Sequence, residues 1–301
     1  GDGAGPVVTI ANGETAAAVL DGFTITGGSA SNGGGIYVYS NSSPTLKNLV
    51  ITGNTASTYG GGAYIYQYCT PTLTNTKIIN NSANYGGGVC QSWYSDVTFE
   101  NVEISGNTAA YYGAAIYHYL QGSLTIINST IAGNSGGTGA YYATGDDTEL
   151  IAFNSIFWNT GLHEIYLSGA SHKDEIARVG QCLIEGGTTS GVYEGDGDVY
   201  TYGSITTGDP AFVDTTDGDY HLSALSAAIS AGVDQLSINS VTYTAPATDM
   251  DGVARPNPIA TILDLGAYEH ENGVGPYDGP VWYVNGAEAL PYGNGSVSAP
   301  Y

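Results

Sequence analysis

Leu46-Lys47-Asn48-Leu49-Val50-Ile51-Thr52-Gly53-Asn54 is a phrase that the chain writes four times. It returns as Leu73-Thr74-Asn75 with Ile78 and Asn81, as Phe99-Glu100-Asn101 with Ile104, Gly106 and Asn107, and as Ile126-Ile127-Asn128 with Ile131, Gly133 and Asn134. The closing Asn is therefore spaced by 27, 26 and 27 residues. Glycine triplets keep the same beat at 33–35, 60–62 and 86–88, followed by Gly113-Ala114-Ala115. A fixed period of this size marks a solenoid, in which no repeat can bury its apolar face without a neighbour.

Within each repeat, short runs alternate apolar and polar residues between Gly and Asn turns, and no helical period is seen; this argues strands. Leucine-rich repeats need more leucines and a helical return. A parallel β-helix fits, each turn giving two or three strands stacked about 4.8 Å apart. Leu46, Leu73, Phe99 and Ile126 form one expected inward ladder, and Ile51, Ile78, Ile104 and Ile131 another. Asn48, Asn75, Asn101 and Asn128 are read as a structural asparagine ladder, amides bonding along the axis, and the glycines as corners.

Each glycine corner precedes Ile36-Tyr37-Val38-Tyr39, Ala63-Tyr64-Ile65-Tyr66, Val89-Cys90-Gln91-Ser92 or Ile116-Tyr117-His118-Tyr119. With the aliphatics inward, alternation predicts an outer aromatic face of Tyr37, Tyr39, Tyr64, Tyr66, Tyr117 and Tyr119, interrupted by Cys90 and Ser92, with Trp93 and Tyr94 beyond. Rings in a row suit glycan stacking or protein packing; the plainer reading is cross-coil stacking that only stabilises the sheet. His118 falls in the inward phase of Val38 and Ile65, as a hydrogen-bonded structural histidine would.

The 25 Tyr far outnumber the 5 Phe among 301 residues. Buried phenols need hydrogen-bond partners, so many of these rings are expected at the surface. Lys and Arg total 5 against 28 Asp and Glu, a formal charge of −23. Such a surface repels nucleic-acid phosphates and anionic lipid, which argues against both as partners. No apolar run is long enough to insert in a membrane. Cys69, Cys90 and Cys182 have no metal-like spacing; Cys69 and Cys90 fall on adjacent coils, without demanding a disulfide.

The coils, assigned to 1–208, drift after Asn154-Ser155-Ile156-Phe157-Trp158-Asn159, and 188–208 reads as a Gly-, Thr- and Asp-rich loop. From Asp209 the character changes. Residues 209–272, through Asp249-Met250-Asp251-Gly252 and Asp264-Leu265-Gly266-Ala267-Tyr268-Glu269, are read as the C-terminal cap a solenoid needs over its last coil.

Leu20-Asp21-Gly22-Phe23-Thr24-Ile25, Gly33-Gly34-Gly35-Ile36-Tyr37 and Asn154-Ser155-Ile156-Phe157-Trp158 resemble the pectin-lyase-like right-handed parallel β-helix proteins of bacterial surfaces, especially those with polymorphic outer-membrane-protein-type repeats. Residues 209–269 resemble the carboxy-terminal part of choice-of-anchor Q domain proteins. The resemblance, over roughly residues 19–270, implies an all-β, right-handed, single-stranded parallel β-helix with a capping block. It also implies an extracellular place on the bacterial cell surface, often with attachment, and no particular reaction. Residues 273–301 include Pro280-Val281-Trp282-Tyr283-Val284-Asn285-Gly286 and resemble how such a β-helix begins. They are read as a linker and the start of a following unit, with Trp282 and Tyr283 as polymer contacts.

Residues able to do chemistry are few. Asp146-Asp147 resembles the paired carboxylates of β-helix pectin hydrolases. An inverting glycosidase, however, needs carboxyls about 6.5–9.5 Å apart across a water, and this adjacent pair reads better as a solvated turn. A polysaccharide lyase needs a strong base, and none of Lys47, Lys77, Lys173, Arg178 or Arg255 is convincingly placed. His118, His163, His172, His221 and His270 lack zinc spacing, and Asp249 with Asp251 lacks the other acids of an EF-hand. No cofactor or metal is expected; 194–198 and 214–219 are the acidic loops where calcium would bind if any did. Arg255 is read as a structural ion pair with Asp264, or with Glu269. The expected function is a structural or adhesive module, one unit of a tandem array or fibre, associating end to end with copies of itself or neighbouring units. The alternative is a β-helix that binds glycans or cleaves polysaccharide.

Overall fold

The computed structural model describes residues 5–169, 175–259 and 261–270. Trp282, Tyr283, Lys173 and His172 lie outside them. About seven turns of parallel strands stack into three sheets. The first sheet, of eight strands, runs from Val8–Ile10 through Ile36–Val38, Ala63–Tyr66, Val89–Ser92, Ile116–Tyr119, Tyr141–Thr144 and Ile165–Leu167 to Val192–Tyr193. The second, of twelve, bends at one residue per coil, as within Thr72–Ile79 and Val97–Ser105. The third, of four, comprises Ser29–Asn32, Thr55–Tyr59, Ser82–Tyr85 and Thr108–Tyr112. Among the described residues no helix is long and apolar enough to cross a membrane.

The two inward ladders are in register, Leu46 with Leu73, Phe99 and Ile126, and Ile51 with Ile78, Ile104 and Ile131. Every member is buried in one continuous core. Each such side chain gains about 1.5–3 kcal/mol from burial, and only because the next coil covers it. The glycine triplets bring the coils this close: a Cβ on Gly61 would lie 2.4 Å from the carbonyl oxygens of Gly87 and Ser82.

Asn48, Asn75, Asn101 and Asn128 occupy the bend of the second sheet with φ of 52°, 48°, 51° and 44°. This left-handed conformation is one that Asn tolerates better than most residues. Asn75 Nδ2 donates to Asn48 Oδ1 at 3.5 Å and Asn101 Nδ2 to Asn75 Oδ1 at 3.1 Å. The ladder then breaks. Asn101 Nδ2 donates to Thr248 O at 2.8 Å, and Asn128 Nδ2 finds no partner.

A second asparagine column lies inside. Nδ2 of Asn54, Asn81, Asn107 and Asn134 donates to Oδ1 of the next Asn at 2.9–3.0 Å, the last acceptor being Asn159. The same oxygens accept the backbone N–H of the preceding Asn at 2.8–3.0 Å. Each Nδ2 also reaches a carbonyl one coil back: Ile25, Ile51, Ile78 and Ile104. Glu164 ends the column, its two carboxylate oxygens accepting from Asn159 N at 2.6 Å and Nδ2 at 2.7 Å. These closing asparagines set the period of the sequence, yet the corner column was the one expected to carry the stacking.

Two expectations about the later chain are corrected. Residues 188–208 are not one loop: Val192–Tyr193 and Asp198–Thr206 pair with Ile165–Leu167 and Ile176–Ile184 as a further coil. Residues 209–270 carry two antiparallel hairpins, Phe212–Asp214 with Asp219–Leu222 and Gln235–Ile238 with Val241–Thr244. They lie along the flank of several coils rather than over the last one. The reason is in the outward columns of the second sheet. One reads Lys47, Thr74, Glu100, Ile127, Phe153 and another Val50, Lys77, Glu103, Thr130, Ile156, Leu183. Both become apolar in the later coils and need cover. Ile238, Leu236 and Tyr243 pack on Ile127 and Phe153, while Leu222, Ala228 and Leu265 pack on Ile156 and Leu183.

Candidate functional site

The tyrosines are not an exposed outer face. Tyr64 and Tyr117 are buried, each 6% exposed, and Tyr37, Tyr39, Tyr66 and Tyr119 are half-buried. The third sheet covers them. Three of its four strands end in Tyr59, Tyr85 and Tyr112, and the chain turns through the next three residues into the first sheet. Tyr59 thereby meets Tyr64 at 5.5 Å between ring centroids, and Tyr112 meets Tyr117 at 6.2 Å. The repeated spacing of Tyr59 to Tyr64, Tyr85 to Cys90 and Tyr112 to Tyr117 is the sequence signal for this second column. Cys90, fully buried among the rings, leaves a gap that Tyr59 and Tyr85 span; burial pushes its thiol pKa well up. Tyr142, Tyr166 and Tyr193, not singled out from sequence, extend the stack at 4.9 and 4.2 Å.

Inside the first sheet, the column Val38, Ile65 continues as Gln91 and His118. His118 Nδ1 lies 2.9 Å from Tyr141 Oη, and Gln91 Nε2 lies 3.4 Å from His118 Nε2. Burial drives the His118 pKa down to about 4, so it is neutral at physiological pH. Glu164 is the opposite case. Burial raises its pKa to about 8 against the lowering bonds from Asn159, and Glu185 adds to the rise.

Among the described residues, the seam between coils and flank holds most of the charged side chains that pair. Arg255 Nη1 pairs with Glu269 Oε1 at 2.7 Å, both side chains fully buried. The Arg255 and Asp264 ion pair is thus corrected: Asp264 offers Arg255 only its backbone oxygen at 3.4 Å. Its carboxylate accepts from the backbone N–H of Ser230 and His270, both at 2.7 Å. Arg255 already has a better-placed carboxylate. Glu103, buried on the coil side, takes Lys77 Nζ at 3.1 Å and the hydroxyl of Tyr268. His221 bridges Asp219 at 2.5 Å and Asp251 at 2.6 Å, and its ring packs against Tyr268 at 4.0 Å with a 35° tilt. Burial opposes its charging, but these carboxylates outweigh burial and raise its pKa. A cleft of about 270 Å³ lies here, lined by His221, Asp249, Asp251, Glu269 and His270. Asp249 is engaged in the seam, its carboxylate accepting from the backbone N–H of Asp251, Val253 and Glu269 at 2.8–2.9 Å.

A second cleft, of about 480 Å³, opens between coils and flank, with Trp158, Phe212 and Tyr220 beside Asn134, Ser135, Thr160 and Asp209. Asp147 sits in a turn at φ 53°. The Asp214 carboxylate holds its own turn, accepting from Thr216 N and Oγ1 at 3.0 and 2.6 Å. Among the described residues no three or more His, Cys, Asp or Glu side chains are grouped to hold a metal ion.

The two ends of the solenoid complete the candidate surfaces. Among the described residues, Val8–Ile10, Val19–Asp21, Thr24–Thr26 and Ser29–Asn32 have no strand on their outer side, nor do Val192–Tyr193 and Asp198–Thr206 at the other end. The end coils leave core residues incompletely covered: Val8, Ile10 and Leu20 at one end, Val199 and Ile205 at the other.

The chain belongs to the right-handed β-helix family, whose right handed beta helix region matches residues 8–178. No curated protein and no solved structure matches it.

Proposed function

We propose, taking membership of the right-handed β-helix family as premise, that this protein is a structural module of the bacterial cell surface. It is a rigid rod that adheres end to end to further β-helix coils, in copies of itself or adjoining units. The observation that carries this reading is that, among the described residues, neither end of the solenoid carries a further strand. Unpaired strand edges beside incompletely covered core residues form a template for strand addition. The parallel order of the three solenoid sheets lets another coil continue the same register. The finer likeness to pectin-lyase-like surface proteins, with a choice-of-anchor Q-like flank, agrees with this role and with an extracellular setting. The charge of −23 disfavours nucleic acid and anionic membrane as alternative partners. Sedimentation velocity over a wide concentration range tests the proposal. Reversible growth in size that Thr9→Pro, placed in the terminal strand Val8–Ile10, suppresses is the expected result. A monomer at every concentration overturns it.

A glycan-binding reading has its own support in the 480 Å³ cleft, where Trp158 and Phe212 offer ring faces beside hydroxyl and carboxylate groups. Neutral oligosaccharides are the class that an acidic protein would accept. Calorimetric titration with neutral and acidic oligosaccharides separates the readings, since Trp158→Ala abolishes glycan binding and leaves end-to-end growth unchanged.

A further inference from the structure

We propose that the tyrosine array is a relay for one-electron oxidation, carrying a radical along the solenoid and delivering it to exposed rings at its margins, above all Tyr193. The array is continuous. Ring centroids step from Tyr37 to Tyr64 at 5.2 Å, to Tyr59 at 5.5 Å, to Tyr85 at 5.3 Å and to Tyr117 at 5.4 Å. From Tyr117 they pass to Tyr142 at 5.9 Å, Tyr166 at 4.9 Å and Tyr193 at 4.2 Å. Each neighbour is within the separation of a packed aromatic pair. Tyr37 and Tyr193 are joined by six coil-to-coil registers, which at about 4.8 Å each amounts to about 29 Å. The one position without a ring, Cys90, is bypassed twice, through Tyr85 and directly from Tyr59 to Tyr117 at 6.3 Å. Beyond Tyr117 the bypasses merge. Tyr142 is fed by both Tyr117 and Tyr112, the latter at 4.4 Å, and among the tyrosine ring contacts of the described residues Tyr142 and Tyr166 carry the route onward to Tyr193.

The chemistry gives the relay a direction. A diffusible one-electron oxidant takes one electron from a phenol, which also loses its proton and becomes a phenoxyl radical. The next phenol supplies an electron and a proton, restores the first, and becomes the radical in turn. Buried rings have little water to receive a proton; Tyr193, 41% exposed, does. Two Tyr193 radicals on separate molecules then couple through ring carbons ortho to the oxygens. Each of those carbons then gives up its hydrogen as a proton, and the ring's own oxygen takes up a proton in its place as the ring rearomatises. Two phenols thus become one dityrosine with release of two protons, both electrons having passed to the oxidant.

The structure contains the control. Tyr200 is 44% exposed near the same end of the solenoid, but its ring lies under Arg178 and outside the array. All three native cysteines are buried, so Ser31→Cys, exposed and beside Tyr37, takes a ruthenium polypyridyl maleimide selectively. Illumination with an electron-accepting cobalt(III) quencher starts oxidation at the Tyr37 end, and peptide mass spectrometry with dityrosine fluorescence locates the products. The expected result is several-fold more modification at Tyr193 than at Tyr200. Tyr142→Phe and Tyr166→Phe, each keeping the stacked ring but not the oxidisable phenol, remove that excess, whereas Tyr85→Phe, which has a bypass, does not. Unchanged melting of the Phe variants confirms that the stack persists, and the Tyr166 variant suffices if the more buried Tyr142 variant fails to fold. Equal yields at Tyr193 and Tyr200, an excess that survives Tyr166→Phe, or products confined to Tyr37, Tyr39 and Cys90 overturn the proposal.

Discussion

Two asparagine columns run along this molecule with the same period, and they do different work. The corner column of Asn48, Asn75, Asn101 and Asn128 exists because the second sheet must bend through a left-handed residue in every coil. Its amide contacts are long, at 3.1–3.5 Å, and the ladder is broken where the flank takes over Asn101. The interior column of Asn54, Asn81, Asn107 and Asn134 replaces backbone bonds that the chain cannot make at its turn into the third sheet. It does so at 2.7–3.0 Å, with both amide hydrogens and the oxygen engaged. An identical residue at an identical spacing is a conformational device in one place and a buried hydrogen-bonding spine in the other.

The comparison is most strained by Asn107→Leu. It orphans Asn81 N and removes three side-chain bonds, from Asn81 Nδ2 and to the Ile78 carbonyl and Asn134 Oδ1; it should cost about 4–6 kcal/mol in denaturant unfolding, about 1–3 kcal/mol for the orphaned donor and about 1 kcal/mol for each lost bond. Buried polarity away from the spine is next. The folded pKa of His118, about 4, lies below the ordinary 6.5. Its neutral state therefore contributes fully above pH 6.5, and stability falls as pH drops toward 4, by about 3 kcal/mol in all. His118→Gln should flatten that limb of the stability profile. At the corner, Asn101→Leu loses the bond to Thr248 and a contact with Arg255 Nη2. It should cost about 2–3 kcal/mol and release the flank to limited proteolysis. His221 titrates with the opposite sign. Its pKa is raised, so its contribution to the seam is present below pH 6.5 and fades as pH rises through its folded value; loss of the bridge in His221→Gln should remove that alkaline limb. Smallest of all, Asn75→Gly keeps the left-handed corner and should change stability by less than about 1 kcal/mol.

The period, the strands and the inward ladders were legible because the solenoid writes each contact once per coil. The roles of the two asparagine columns were not. Both recur every 26 or 27 residues, and which one faces inward depends on where the left-handed residue falls, which spacing does not reveal. The tyrosines misled for a related reason. Alternation correctly directs Tyr37, Tyr64 and Tyr117 away from the core, but outward is not exposed when Tyr59, Tyr85 and Tyr112 fold over them. The flank block was legible in composition, and its place was written elsewhere, in the outward columns that change from Lys47, Thr74 and Glu100 to Ile127 and Phe153. Arg255 was recognised as paired. Its choice of Glu269 over Asp264 depends on the loop path between them, which carries no periodic signal.

The claim that the interior asparagines are the spine is tested most directly by hydrogen exchange of asparagine side-chain amides, followed by NMR. The account predicts that Nδ2 hydrogens of Asn54, Asn81, Asn107 and Asn134 exchange only with global unfolding, while those of Asn48, exposed at the corner, exchange orders of magnitude faster. Comparable exchange from the two columns would contradict it.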